Sequence, residues 1–121
     1  MRTIVGASRW AVTAHFAALV VQFGLAIGLL AGKLDLSAHA DNARVVACLA
    51  IVQVALLSSL GASAVGRHFV AAAALVVAVA IAQLRLAWGF TTTVHVSLAL
   101  LYWGISLALL IKVWKPEWEN I

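Results

Sequence analysis

Only four of the 121 residues are acidic, and none lies in an apolar run. Asp35 and Asp41 sit in one polar stretch, and Glu117 and Glu119 in the C-terminal tail. Proton-coupled transport generally uses an intramembrane carboxylate or an equivalent relay, so the pattern counts against that class. It also counts against small multidrug exporters that depend on a Glu in their first helix. Cysteine is equally scarce. Cys48 stands alone inside an apolar run, with no partner for an internal disulfide and no CxxC mate, and reads as a packed helix thiol. The single proline, Pro116, follows the last apolar run and stops it. There is no basic cluster of the kind that recognises phosphate. The net charge of +4 comes from Lys and Arg scattered among apolar segments, which marks membrane borders rather than a nucleic-acid surface.

What the chain does have is apolar length. Hydrophobic residues make up 65% and charged residues 10%, against about 45–50% and about 25% in soluble domains. The expectation is an integral membrane protein, all-α, forming a single domain over residues 1–121. The N-terminus has the basic start of a signal peptide, but its apolar run from Trp10 to Gly32 has full spanning length, about 20 residues being needed. It carries His15 and Gln22 and lacks a convincing A-x-A exit, so it is expected to be retained as a helix. Four segments follow from the pattern: about 9–32, 45–60, 64–88 and 93–114. The polar connection "KLDLSAHADNAR" separates the first two, and "SSLGAS" makes a tight turn after the second. Backbone open to lipid is not viable, so each segment is expected to be helical. Short connections imply an up-down-up-down four-helix bundle.

Orientation follows from the basic residues. With both termini cytoplasmic, in a bacterial inner membrane, that side carries Arg2, Arg9, Arg67, Lys112 and Lys115, and the other Lys33, Arg44 and Arg85. Trp10, Trp88, Trp103, Trp114 and Trp118 mostly fall near the expected borders, as an aromatic belt would. Ala/Val richness suits close packing through small side chains.

The histidines carry the chemistry. His15 lies about one and a half turns into the first helix and His68 about one turn into the third. Helices one and three are parallel and diagonal in an up-down bundle, so both imidazoles sit toward one membrane face. Two neutral imidazoles are good axial ligands for a haem iron, and Arg9 and Arg67 border the same face, where they would pair with propionates. The plainer alternative for His68, beside Arg67 at a turn, is an interfacial residue reaching headgroups. His95 and His39 form a secondary pair toward the opposite face, His39 being expected in a solvated loop. Gln22, Gln53, Gln83 and Arg85 read as interhelical bonding and snorkelling groups. Ser58, Ser59 and Ser63 near His68 read as backbone-bonded turn residues.

The run "CLAIVQVALLSSLGASAVGRHFVAAAALVVAVA" resembles one four-helix half-unit of the haem A synthase family. Gln53, Leu60, Gly61 and His68 match the family's order of a Gln-bearing helix, Leu-Gly, a short connection and a haem-ligating His. "AVTAHFAALV" is similar to its earlier His-bearing helix at His15. The family's outer-loop acid and cysteine pair have no counterpart in "KLDLSAHADNAR", and its His-Arg order is reversed at Arg67-His68. The resemblance therefore implies a bundle able to hold haem more than it implies synthase chemistry.

Together these observations give the expectation of a membrane-embedded b-type haem protein. It would serve electron transfer with other membrane subunits of a respiratory or photosynthetic assembly, with quinone or pigment as further partners. The alternatives are an accessory subunit without its own cofactor and a haem-modifying enzyme. No nucleophile–base constellation supports the last.

Overall fold

The protein is described here by a computed structural model covering residues 2–61, 65–86 and 92–121. It is all-helical: α1 is Arg2–Leu30, α2 Leu36–Ser59, α3 Arg67–Leu86 and α4 Thr92–Val113, and a 3₁₀ helix, Pro116–Asn120, ends the chain. All four α-helices are long and apolar enough to cross a membrane. They form a four-helix bundle in which α1 packs on α2 and α4, and α3 on the same two.

The buried residues follow a three-and-four spacing. On α1 they are Val5, Ser8, Val12, His15 and Leu19, and on α2 Val46, Ala47, Ala50, Gln53 and Leu57. On α4 Tyr102, Ser106, Leu109 and Val113 continue the pattern. This is the seam by which bundle helices interlock. Ala50 and Ala73 in the core let backbones approach, while Ile27, Leu100 and Ile111 stay outside.

Two helix boundaries differ from the sequence expectation. Helix α1 begins at Arg2, seven residues before the expected Arg9, because nothing in "RTIVGAS" breaks a helix. Helix α2 begins at Leu36, not Val45. The Asp35 side chain caps it, accepting from the backbone N–H of Ser37 (2.9 Å) and Ala38 (3.4 Å) and from the Ser37 hydroxyl. Most of the stretch expected as a connection is thus helix, and His39 lies on α2 rather than in a loop. The expected start of helix three at Ala64, its end at Trp88, and Ser63 lie outside the described residues.

Helix α1 stops at a glycine-based C-cap. Gly32 has φ +67°, its N–H bonds Leu29 O (3.0 Å) and the Lys33 N–H bonds Gly28 O (2.9 Å), the paired pattern of a Schellman motif. Leu34 then folds back over Gly28, where a Cβ would meet its Cδ1 at 2.5 Å.

The C-terminal tail does not trail into solvent. Trp118, expected among the border aromatics, is buried and meets Phe69 edge-on at 5.1 Å. Trp10 and Trp114 are exposed and T-stacked at 5.9 Å. Trp103 sits midway along α4 against Phe16, away from either helix end.

Candidate functional site

Three polar layers lie inside the bundle. The central one is built on His15, which is fully buried. Its Nε2 lies 2.7 Å from the Tyr102 hydroxyl, and the rings meet at 5.6 Å between centroids. Gln53 of α2 stands beside His15, near enough to influence it, but no hydrogen bond closes between them. The Gln53 amide atoms and His15 Nδ1 are buried without partners. Toward the chain termini, Ser8 and Ser106 are buried with unpartnered hydroxyls. A buried polar group left unpaired costs about 1–3 kcal/mol.

The third layer lies at the other end, among half-buried residues of all four helices. Gln22 Nε2 lies 3.1 Å from His39 Nε2, 3.2 Å from its Nδ1 and 3.1 Å from its carbonyl oxygen, to which it donates. Asn42 Nδ2 donates to Gln22 Oε1 (2.7 Å) and to Ala18 O (3.1 Å). Across the bundle, Gln83 Nε2 donates to His95 O at 3.0 Å. His95 Nδ1 and Gln83 Oε1 are buried with no hydrogen-bond partner.

The expected site residues therefore separate. His68 and Arg67 are exposed at the first turn of α3, and no hydrogen bond or ring contact joins His68 to His15. Arg9 is committed to the end of α4: its Nε donates to Val113 O at 2.9 Å, and its guanidinium stands 5.4 Å over the Trp114 ring. There it satisfies a carbonyl that the helix end would otherwise leave open. Trp114 Nε1 donates to Thr13 Oγ1 at 3.1 Å, and Thr13 Oγ1 donates to Arg9 O at 2.9 Å. Ser59 Oγ donates to Leu56 O at 2.7 Å, a backbone-bonded turn serine.

Haem needs imidazoles whose free nitrogens face a common space. His15 and His68 are not brought together: His15 has its Nε2 on Tyr102 and only its Nδ1 unpartnered, in a closed core, and His68 is exposed. His39 and His95 are half-buried on α2 and α4; His95 Nδ1 is buried and unpartnered, as His15 Nδ1 is, whereas both His39 ring nitrogens lie within hydrogen-bond distance of the Gln22 amide nitrogen. Among the described residues no group of three or more His, Cys, Asp or Glu gathers for a bare metal ion.

Sequence reasoning missed Tyr102 and Ser106. A seven-residue spacing would have found the first: Ser8, His15 and Gln22 on α1, His39 and Gln53 on α2, and His95 and Tyr102 on α4 repeat in sevens. Such a spacing returns a residue to the same helix face about 10.5 Å further along. Compared with protein-family models, curated proteins and solved structures, the chain matches none.

Proposed function

We propose that the chain is an integral membrane protein whose four helices run up-down-up-down and hold one haem b between His39 and His95. It would serve electron transfer within a larger respiratory or photosynthetic assembly. The observation that carries this reading is the buried, unpartnered Nδ1 of His95, on the helix across the bundle from His39. Opposed registers between neighbours support the up-down arrangement: Arg9 meets Val113 and His15 meets Tyr102, while Gln22 meets His39. In the same arrangement both termini lie at one face, taken as cytoplasmic in a bacterial inner membrane, with the haem nearer the other. Haem, when bound, would supply one-electron chemistry. The chain's own part would be to present two imidazoles, His39 giving up its Gln22 amide contact to do so and Gln83 holding the His95 backbone carbonyl.

The test is the visible spectrum of the purified protein and its histidine variants. A Soret band lost in His39→Ala and His95→Ala, and kept in His15→Ala and His68→Ala, supports the assignment. A band that depends on His15 and His68 instead returns the haem to the first diagonal, with Arg9 and Arg67 beside it, as the haem A synthase resemblance implies. No band in any preparation sinks the haem reading. A stable partner complex would then favour a cofactor-free accessory subunit, for which the closed His15–Tyr102 pair is the supporting feature. A haem-modifying enzyme of the synthase type gains support only from a modified haem in the extract.

A further inference from the structure

Between the start of α3 and the end of α4 the surface opens into a groove of about 470 Å³. That volume falls in the range of ligand sites, about 300–1,000 Å³. Gly66, Ala72 and Ala108 leave its floor low, Phe69 walls it, and His68 and Lys112 are its polar lining. Arg67, next to His68, is exposed at the same end. The groove is thus an apolar channel with cationic and imidazole groups at its mouth.

We infer that this groove binds one anionic phospholipid, an acyl chain lying along Phe69, Ala72 and Ala108 and the phosphate held by Lys112, Arg67 and His68. The inference rests on the chain spanning a membrane, not on the haem. Three features select this occupant. First, the lining runs from apolar to basic along one line, as the lipid itself runs from chain to phosphate. Second, the charge at this end is complementary: Arg2, Arg9, Arg67, Lys112 and Lys115 stand against only Glu117 and Glu119. Third, Lys112 is free to share itself. Its 3.1 Å ion pair with Glu117 is solvent-exposed, its side chain 44% and that of Glu117 67% accessible, and such pairs hold weakly. An ammonium has three donors, so Lys112 can keep Glu117 and still contact a phosphate oxygen.

The experiment is native mass spectrometry of the full chain in detergent. Lipid retention is compared between phosphatidylglycerol and phosphatidylcholine of the same acyl chains, and inorganic phosphate alone is run in parallel. One phosphatidylglycerol should be retained per chain, with little phosphatidylcholine and no phosphate adduct. Arg67→Gln with Lys112→Ala should weaken phosphatidylglycerol retention about tenfold or more, since each basic group at a lipid surface contributes measurably. Ala108→Phe, at an exposed helix position, should abolish retention by filling the floor. Arg85→Gln, at the other end of α3, should change nothing. Equal retention of the two lipids, or no effect of either groove variant, overturns the inference. A phosphate adduct as strong as the lipid overturns the acyl-chain half. The absorption spectrum of the same samples separates the two proposals: a Soret band lost on filling the groove would put haem there and overturn the lipid assignment, while absence of any band leaves the lipid result standing.

Discussion

His15 of α1 and Tyr102 of α4 share a 2.7 Å hydrogen bond inside the bundle core, where Gln53, Ser8 and Ser106 are the other buried polar side chains among the described residues. The pair locks two helices far apart in the chain, and it takes one imidazole nitrogen out of service as an iron ligand.

Tyr102→Phe keeps the ring contact but leaves His15 Nε2 unpaired in the core. The expected cost is about 1–3 kcal/mol, read as a lowered unfolding midpoint in detergent. His15→Phe with Tyr102→Phe removes both polar partners and should cost less than Tyr102→Phe alone. Equal or greater loss in the double variant would show that the hydrogen bond contributes nothing distinct.

The Asp35 carboxyl is held below the usual carboxylate range, first by the Ser37 hydroxyl, then by the N–H groups of Ala38 and Ser37. A depressed native pKa means that the cap's contribution is present above the unfolded value, about 3.9. It is lost as pH falls through the lower native value. The protection factor of the first α2 turn, measured against the intrinsic exchange rate at each pH, should therefore fall on acidification below about pH 4. In Asp35→Ala the protection factor should already be low at neutral pH and stay flat. A wild-type turn whose protection ignores acid would show that the cap is not what holds it.

Gly32→Ala places a Cβ on a residue with φ +67° and should destabilise by about 1 kcal/mol. Gly28→Ala acts differently, by driving a Cβ against Leu34. Its cost should fall when Leu34→Ala is added, whereas Gly32→Ala should gain nothing from that second change. Thermal midpoints of the four variants settle this, and equal behaviour of the two glycines would refute the distinction.

Trp118→Ala removes a buried ring from Phe69 at the start of α3, with an expected loss of about 3 kcal/mol and earlier proteolysis of the tail. Trp118→Phe should retain most of the contact. Unchanged protease resistance in Trp118→Ala would mean that the tail is held by something else.

The four helices were legible because each apolar run is too long for any other structure in lipid. The start of α2 was not, since "KLDLSAHADNAR" has the composition of a loop. Asp35 followed by alanines was the signal outweighed there by polarity, and with it went the placement of His39. His15 was singled out within an apolar helix of spanning length and is buried there, but depth along the chain does not give rotation about the helix. His15 faces α4 and His68 faces outward because the three-and-four seam of each helix decides which side is buried. Residues 67 and 68 of α3 fall before that seam begins at Ala73. Trp118 looked like a border aromatic because a short polar tail after proline gives no hint of the Phe69 surface waiting for it.

The central claim, an iron between His39 and His95, is tested most directly by the dithionite-reduced minus oxidised difference spectrum. Wild type and the His39→Ala/His95→Ala variant are purified side by side at equal protein. The account predicts a reducible Soret band in wild type, at about one haem per chain, and none in a folded double variant. An equal band in both, or no band in wild type supplied with haem during expression, would contradict it.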